Sequence, residues 1–334
     1  MSNVNGPGAR APFDSLPEAQ RASDADELDV IIVGAGPAGL TAALYLARYR
    51  RSPLVLHDGA SRALRIPLTH NAPGFPDGIA GSALISRMTA HAEAYGARLE
   101  AAEVETAAFR DGVFQLNGGG RTWRSRALVL ATGISLHQVD LPEAEHEAAI
   151  RAGVLRYCPI CDGYEAIDRA IGVIGCNENG AAEALFLRRY SSDITLMPLS
   201  HSDLSPAQET ELAAAGIRIE YGALRRLAPG ESRIDVVLED RETPLPFDVV
   251  YPALGCSPRT KLAVQLGVPL SEKGCAPPDP RSSGVEGLFV AGDVLEGLDQ
   301  ISVAVGNGAV AATHAHNWLR EKDGQSLQCR KAAQ

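Results

Sequence analysis

Residues 29–58 restrict this chain to few folds. A short apolar strand (29–33) runs into Gly34-Ala35-Gly36-Pro37-Ala38-Gly39, a helical stretch (40–50) follows, and a second strand (53–57) ends at Asp58. Each part has a physical task. Gly34 makes the tight turn, Gly36 lets backbone approach a pyrophosphate, and Gly39 allows close helix–strand packing. The helix N-terminus faces the phosphates, where unpaired N–H groups and the helix dipole favour an anion. Asp58, nineteen residues beyond Gly39, is placed to accept from a ribose hydroxyl. A bare G-x-G-x-x-G is weak, but the strand before it and the acid after it make this Rossmann-type unit specific.

A second unit of the same type begins near Ala170. A strand (170–174) leads into Gly175-Cys176-Asn177-Glu178-Asn179-Gly180, then a helix (181–189) and a strand (193–197). This copy is damaged. Asn177 takes the place of the middle glycine, so a Cβ points where a pyrophosphate would approach. The strand then ends in Pro198-Leu199-Ser200, with no acid for a ribose 2′-hydroxyl and no arginine for a 2′-phosphate. The unit is expected to keep its shape without its ligand.

Just before that copy lies Tyr157-Cys158-Pro159-Ile160-Cys161-Asp162-Gly163. The spacing brings both sulfurs within reach of one disulfide, and a helix starting at the pair would stabilise a thiolate. Asp162 adds a candidate proton carrier for a thiol that must gain and lose protons. A lone C-x-x-C can be half a zinc site, a redox pair or coincidence. The chain has no second C-x-x-C or spaced histidine pair to complete a zinc site, and Cys176, Cys256, Cys275 and Cys329 are scattered singly. The redox reading is therefore preferred, no metal is expected, and the single cysteines are read as small packing residues.

At 334 residues the chain is long enough for about two domains. Its net charge of −10 argues against nucleic acid and anionic membrane surfaces as partners, since both attract basic patches. Six cysteines are too few for a secreted disulfide framework, and the cytoplasm is the expected compartment. Residues 1–27 lack the apolar stretch of a signal peptide and are read as a flexible extension. No segment is apolar enough for a membrane span. The remaining elements are a β-rich segment (98–115), a Gly118-Gly119-Gly120 turn, and a strand (127–130) ending in Ala131-Thr132-Gly133. Further strands are expected at 216–221, 233–239 and 249–253, and residues 287–293 form a strand closing on Gly292-Asp293. The last helix (301–320) has small residues along one side, where it could lie close to a cofactor. His314 and His316 on it are read as solvated or capping, and the acidic run 143–147 as solvated or domain-crossing.

G-A-G-P-A-G near the start, A-T-G at 131–133, C-x-x-C-D at 158–162 and A-G-D at 291–293 occur in one order. That order, over residues 28–320, resembles the low-molecular-weight thioredoxin reductase family of flavoprotein disulfide oxidoreductases. Residues 69–75 resemble its flavin-side loop, and Asp299-Gln300-Ile301 its segment at the flavin ring. The resemblance implies an α/β fold of two Rossmann-like (three-layer ββα) domains: an FAD domain from 28–137 and 252–334, and an inserted, smaller pyridine-nucleotide-type domain from 138–251. It implies FAD held at its pyrophosphate by Gly34, Gly36 and Gly39 and at its adenosine ribose by Asp58. Thr132, Gly133, Gly292 and Ile301 would line the cofactor, with Asn71, Asp293 and Gln300 along its ribityl and isoalloxazine portion. Cys161 would face the flavin, Cys158 attack the substrate disulfide, and Asp162 shuttle the proton. A homodimer is implied as well.

Three departures from the family pattern stand out. Asn177 replaces the middle glycine, Pro198-Leu199-Ser200 replaces a basic patch that reads NADPH, and Asp299 replaces an arginine. All fall on the pyridine-nucleotide side, so NADPH use is expected to be weak or absent. The expected activity is thiol–disulfide exchange coupled to FAD, with a thioredoxin-like protein disulfide or a small-molecule dithiol or disulfide as substrate. The alternatives are an NADPH-dependent thioredoxin reductase and a flavin-binding sensor without turnover. The intact Cys158, Cys161 and Asp162 weigh against the sensor.

Overall fold

The computed structural model describes residues 27–281 and 283–325. The N-terminal extension up to residue 26 and Cys329 lie outside them. In chain order the elements are β1 (Glu27–Val33), α1 (Pro37–Arg48), β2 (Pro53–His57), α2 (Gly81–Glu93), β3 (Arg98–Ala101), β4 (Thr106–Arg110), β5 (Val113–Gly118) and β6 (Arg121–Leu130). Then come β7 (Ile134–Leu136), α3 (Glu143–Ala152), α4 (Pro159–Asp162), β8 (Ile171–Ile174), α5 (Glu178–Leu187), β9 (Ile194–Met197), α6 (Pro206–Ala214) and β10 (Arg218–Ile219). The chain ends with β11 (Leu224–Pro229), β12 (Ile234–Leu238), β13 (Leu245–Phe247), β14 (Val249–Pro252), β15 (Cys256–Pro258), α7 (Lys261–Gln265), β16 (Leu288–Val290) and α8 (Ile301–Lys322). The fold is mixed α/β with several sheets.

The largest sheet has seven strands in the order β3-β2-β1-β6-β5-β4, with β16 also paired to β6. Strand β6 serves two neighbours on one side. Its first half pairs antiparallel with β5, and residues 128–130 pair parallel with β16. The strand is longer than the apolar run at 127–130 suggests because its polar first half is half of a hairpin closed by the turn at 119–120. Both faces of the parallel part are covered, so residues 30–33 of β1 and 53–56 of β2 are continuously apolar. Alternate residues of β1 feed two cores, with Val30 and Ile32 toward α1 and α8, and Ile31 and Val33 toward the opposite layer.

Helix α1 begins at Pro37, three residues before the apolar stretch suggested. Proline is well suited to the first turn, where its missing N–H costs nothing. It ends at Arg48, and Arg50 has a positive φ of 62° that takes the chain out of the helix. The small residues of α8 are packed mainly against α1. A Cβ on Gly308 would collide with the Ala38 carbonyl. The stripe therefore serves helix packing, and only its first turn, at Ile301 and Ala304, reaches the cavity described below.

A second, four-stranded parallel sheet has the order β10-β9-β8-β14. A three-stranded antiparallel sheet, β11-β12-β13, packs beside it, with Ile234, Val236 and Leu238 buried at alternate positions. The chain passes between the large sheet and this part through β7 and returns through β15, and those two strands pair antiparallel. His137 ties the crossing together, bonding Leu254 O through Nδ1 (2.9 Å) and Ser257 Oγ through Nε2 (2.7 Å).

Candidate active site

One cavity of about 1420 Å³ begins at the first glycine loop and ends at the cysteine pair. Every site residue named from the sequence except Gly39 lines it. Gly39 stands behind the loop, where a Cβ would collide with the Gly34 carbonyl; Gly34 itself has φ +111° and no room beside Ala131 O. Gly36 differs. A Cβ there would meet only Ser61 Oγ, at 3.5 Å, and would project into the cavity. Gly36 is also the N-cap of α1 and supplies no side chain to it, so the first N–H groups of α1 stay free for a ligand. An extended cavity with an uncapped helix N-terminus and a glycine cradle fits a dinucleotide.

Asp58 follows β2. Its Oδ1 accepts from the Ala60 N–H (2.9 Å) and its Oδ2 from Arg259 Nη1 (3.1 Å). Thr132 Oγ1 donates to the Arg259 carbonyl (2.7 Å), so it shapes the loop rather than facing the cavity as a free donor. Further along, Arg62 Nη1 lies 3.3 Å from Asp293 Oδ2. Burial, reinforced by nearby Asp299, pushes the Asp293 carboxyl up to about 6 despite Arg62. Burial likewise raises Asp299, against the pull of the same arginine.

At the far end Cys158 and Cys161 form a disulfide across one turn of α4, with Cα atoms 5.3 Å apart. Pro159 fixes the first helical position, and Cys158 is the N-cap, its Sγ accepting the Cys161 N–H at 3.2 Å. Gln300, at the N-cap of α8, places its Nε2 3.4 Å from Cys158 Sγ and 3.5 Å from Cys161 Sγ. Its Oε1 accepts from Asn71 Nδ2 (3.0 Å), and Asn71 Oδ1 accepts from Thr69 Oγ1 (2.8 Å). The cysteines are thus tied to two segments of the large-sheet part of the chain.

Asp162 is mostly buried. Burial raises its carboxyl to about 6, although Arg156 and the Tyr251 hydroxyl both favour the ionised form. Tyr251 Oη donates to Oδ1 (3.0 Å), and Arg156 Nη1 sits 3.3 Å from Oδ2. Neither partner is visible in the sequence as a site residue. The signal for Tyr251 is a tyrosine in the wholly buried strand β14, because a buried phenol needs a partner.

Sequence reasoning also missed the contacts that seat this end. Arg65 Nη2 reaches Glu147 Oε1 (2.7 Å) and His146 Nδ1 (2.9 Å), so the acidic run 143–147 is the start of α3 and carries a bridge between the two parts. Arginine only donates, so His146 accepts at Nδ1 and gives its Nε2–H to Tyr157 Oη (2.7 Å), beside Cys158. His70 Nδ1 pairs with Glu165 Oε1 at 2.9 Å.

The second glycine loop has a different character. Asn177 is the N-cap of α5, and its Oδ1 accepts the Gly180 N–H at 3.0 Å. The helix starts at Glu178, earlier than the apolar pattern suggests, because that cap nucleates it. Cys176 is buried, with its thiol pushed up to about 12 by burial, as suits a packing residue. Cys256, by contrast, is exposed on β15 rather than packed. His316 accepts from Arg51 Nε (3.2 Å) and stacks on Tyr49, away from the cavity. Among the described residues no group of three or more His, Cys, Asp or Glu could hold a metal, and no helix is long and apolar enough to cross a membrane.

A family model described as pyridine nucleotide-disulphide oxidoreductase matches residues 28–308. The thioredoxin reductase of Mycolicibacterium smegmatis is 30% identical over 307 residues, covering 88% of this chain and 97% of the relative. That of Treponema pallidum is 32% identical over 309 residues, covering 88% and 97%. Among solved structures, the thioredoxin reductase of Streptococcus pyogenes superposes with a TM-score of 0.81 at 22% identity, over 89% of this chain and all of that one.

Proposed function

The chain belongs to the pyridine nucleotide-disulphide oxidoreductase family, as a thioredoxin reductase-like flavoprotein, and from that premise we propose that it exchanges electrons between a dithiol or disulfide substrate and FAD through Cys158 and Cys161, with little or no use of NADPH. The observation that carries this reading is the contrast between two helix N-termini. That of α1 is open to a phosphate at Gly36, and that of α5 is closed by the Asn177 side chain.

Gly34, Gly36 and the N-terminus of α1 would hold the FAD pyrophosphate, Asp58 the adenosine ribose, and Asn71, Asp293 and Gln300 the ribityl and ring portion. FAD, when bound, would supply a second two-electron carrier to exchange with the Cys158–Cys161 pair. The chain's own residues do the thiol chemistry. A substrate thiolate attacks one sulfur of the Cys158–Cys161 disulfide, a mixed disulfide forms, and the second substrate thiol resolves it. The substrate leaves as its disulfide and the enzyme as Cys158 and Cys161 thiols. Asp162 accepts the proton of the attacking thiol and returns it to the leaving sulfur. Cys158 would meet the substrate and Cys161 the flavin, while Gln300 keeps the pair at the cavity end.

The relatives are thioredoxin reductases, which favours a thioredoxin-like protein as one partner; a small dithiol is the other class. Residues 28–137 and 252–334 would form the FAD domain and 138–251 the insertion, in a homodimer working in the cytoplasm. The test is to mix the yellow protein anaerobically with NADPH, NADH, reduced thioredoxin or a small dithiol. A thiol reductant is expected to bleach the flavin and NADPH at micromolar concentration is not. Complete bleaching by NADPH within milliseconds would overturn the reading.

A further inference from the structure

We propose that Tyr251 and Arg156 are positioning residues that hold Asp162 to the cysteine pair and set the pH at which it exchanges its proton. This rests on the reading of Asp162 as the proton carrier. The observation is a carboxylate gripped on both oxygens by two groups from different elements. Tyr251 comes from β14, where its ring is wholly buried in the core under the parallel sheet, and its hydroxyl reaches Asp162 Oδ1 at 3.0 Å. Arg156 precedes α4. Its Nε donates to the Gly153 carbonyl at 2.9 Å, at the left-handed end of α3, and its Nη1 reaches Asp162 Oδ2 at 3.3 Å.

The grip has a chemical consequence. A buried carboxyl without donors keeps its proton through the neutral range and cannot accept one from an attacking thiol. Two donors on the ionised form oppose that effect. A carboxylate has about four acceptor sites, so one donor on each oxygen still leaves room for exchange with a sulfur. The Tyr251 hydroxyl is a dependable donor, because burial and the adjacent Asp162 hold its proton far above the ordinary phenol range. Of the other charged groups around Asp162, Glu165 acts against the ionised form and is itself paired with His70. Arg156, Asp162 and Tyr251 all lie in the same part of the chain as the cysteines, so the grip is local to the disulfide.

The experiment follows single-turnover reduction of the Cys158–Cys161 disulfide in the FAD-loaded protein by anaerobic dithiothreitol between about pH 5 and 9, with thiols counted by alkylation after quenching. Wild type is expected to show an inflection that Asp162→Asn removes. Tyr251→Phe, which deletes one hydroxyl, is expected to move it alkaline by about one to two pH units, the size of a lost hydrogen bond to a charged group. Arg156→Gln is expected to do the same, and Arg156→Lys to restore much of the wild-type profile. Inflections in Tyr251→Phe and Arg156→Gln that overlay wild type, or a uniform loss of rate without a change in the inflection, would overturn the proposal while leaving Asp162 as proton carrier. An inflection that survives Asp162→Asn would overturn both. If Tyr251→Phe does not fold, the two Arg156 variants decide.

Discussion

The side-chain oxygen of Asn177 accepts the Gly180 N–H at 3.0 Å, so the second glycine loop satisfies its helix from within. At the corresponding place in the first loop Gly36 offers nothing to α1, and the helix N-terminus is left for a ligand. The same supersecondary unit therefore has an open and a closed form in one chain. Pro198-Leu199-Ser200 works in the same direction, since none of the three brings a positive charge to a 2′-phosphate.

NADPH is accordingly expected to bind weakly and to be no better than NADH. Losing a charge-assisted contact to phosphate costs about 1.5–3 kcal/mol, or roughly ten- to a hundredfold or more in affinity. Asn177→Gly is expected to strengthen both nucleotides alike, because it opens the pyrophosphate site without supplying a 2′-phosphate partner. Equilibrium titration of each nucleotide into both proteins checks this. A wild type that prefers NADPH over NADH by tenfold or more would contradict it.

The two glycines of the first loop are expected to fail in different ways. A Cβ at Gly36 meets only Ser61 Oγ within the protein, so Gly36→Val should fold with a melting temperature near that of FAD-free wild type but lose its yellow colour. Gly39→Ala drives a methyl into the Gly34 carbonyl, so it should cost several degrees of melting temperature with or without added FAD. Thermal unfolding alongside the flavin absorbance of the purified variants separates the two outcomes.

The difference between those glycines marks how much the sequence could show. Gly34, Gly36, Gly39 and Asp58 are legible because a strand–loop–helix–strand unit has one geometry, so spacing alone assigns each job. Cys158 and Cys161 are legible for the same local reason. Tyr251 is not, because its partner is 89 residues away and β14 is buried at every position, leaving no period to single it out. Arg156 stands two residues from Cys158, yet spacing does not say which acid its guanidinium reaches. The small stripe of α8 is ambiguous in principle, since a glycine permits close approach by a cofactor or by another helix. Here Gly308 meets α1. The bridges of Arg65 to His146 and Glu147 depend on how two parts of the chain dock, which no local pattern encodes.

Helix α8 is anchored at its far end by Asp323, which takes Arg51 Nη1 at 2.7 Å and Arg126 Nη2 at 2.5 Å. Burial raises the Asp323 carboxyl, but the two arginines outweigh it and hold it below the ordinary range. A depressed carboxyl contributes stability above its unfolded value, and the contribution fades as pH falls through the folded one. Asp323→Asn is expected to lower the melting temperature at pH 7, by an amount equivalent to about 1–2 kcal/mol, and the deficit is expected to shrink as pH falls below the ordinary carboxylate range. Melting curves of the pair across acid pH measure it. A deficit that stays constant down to pH 3 would show that the charge is not what matters.

Asp162 is expected to behave in the opposite sense. Its carboxyl lies at about 6 in the folded protein against an ordinary 3.8, with burial the largest cause. A raised carboxyl favours the folded state fully only below the unfolded value, and that advantage is lost as pH climbs from about 4 through about 6. Above that window the ionised group is a burden on the fold of up to about 3 kcal/mol, since raising a carboxyl by one pH unit is equivalent to about 1.36 kcal/mol. Asparagine has nearly the same shape, can turn its one carbonyl oxygen to Arg156 and its amide N–H to the Tyr251 hydroxyl, and carries no charge to desolvate. Asp162→Asn is therefore expected to melt higher than wild type at pH 8 and to lose that margin toward pH 4, even as it loses thiol exchange. Differential scanning of both proteins in the oxidised, FAD-loaded state gives the margin at each pH. A margin that is negative at pH 8, or that grows as the pH falls, would mean that Arg156 and Tyr251 outweigh burial and that Asp162 is held ionised.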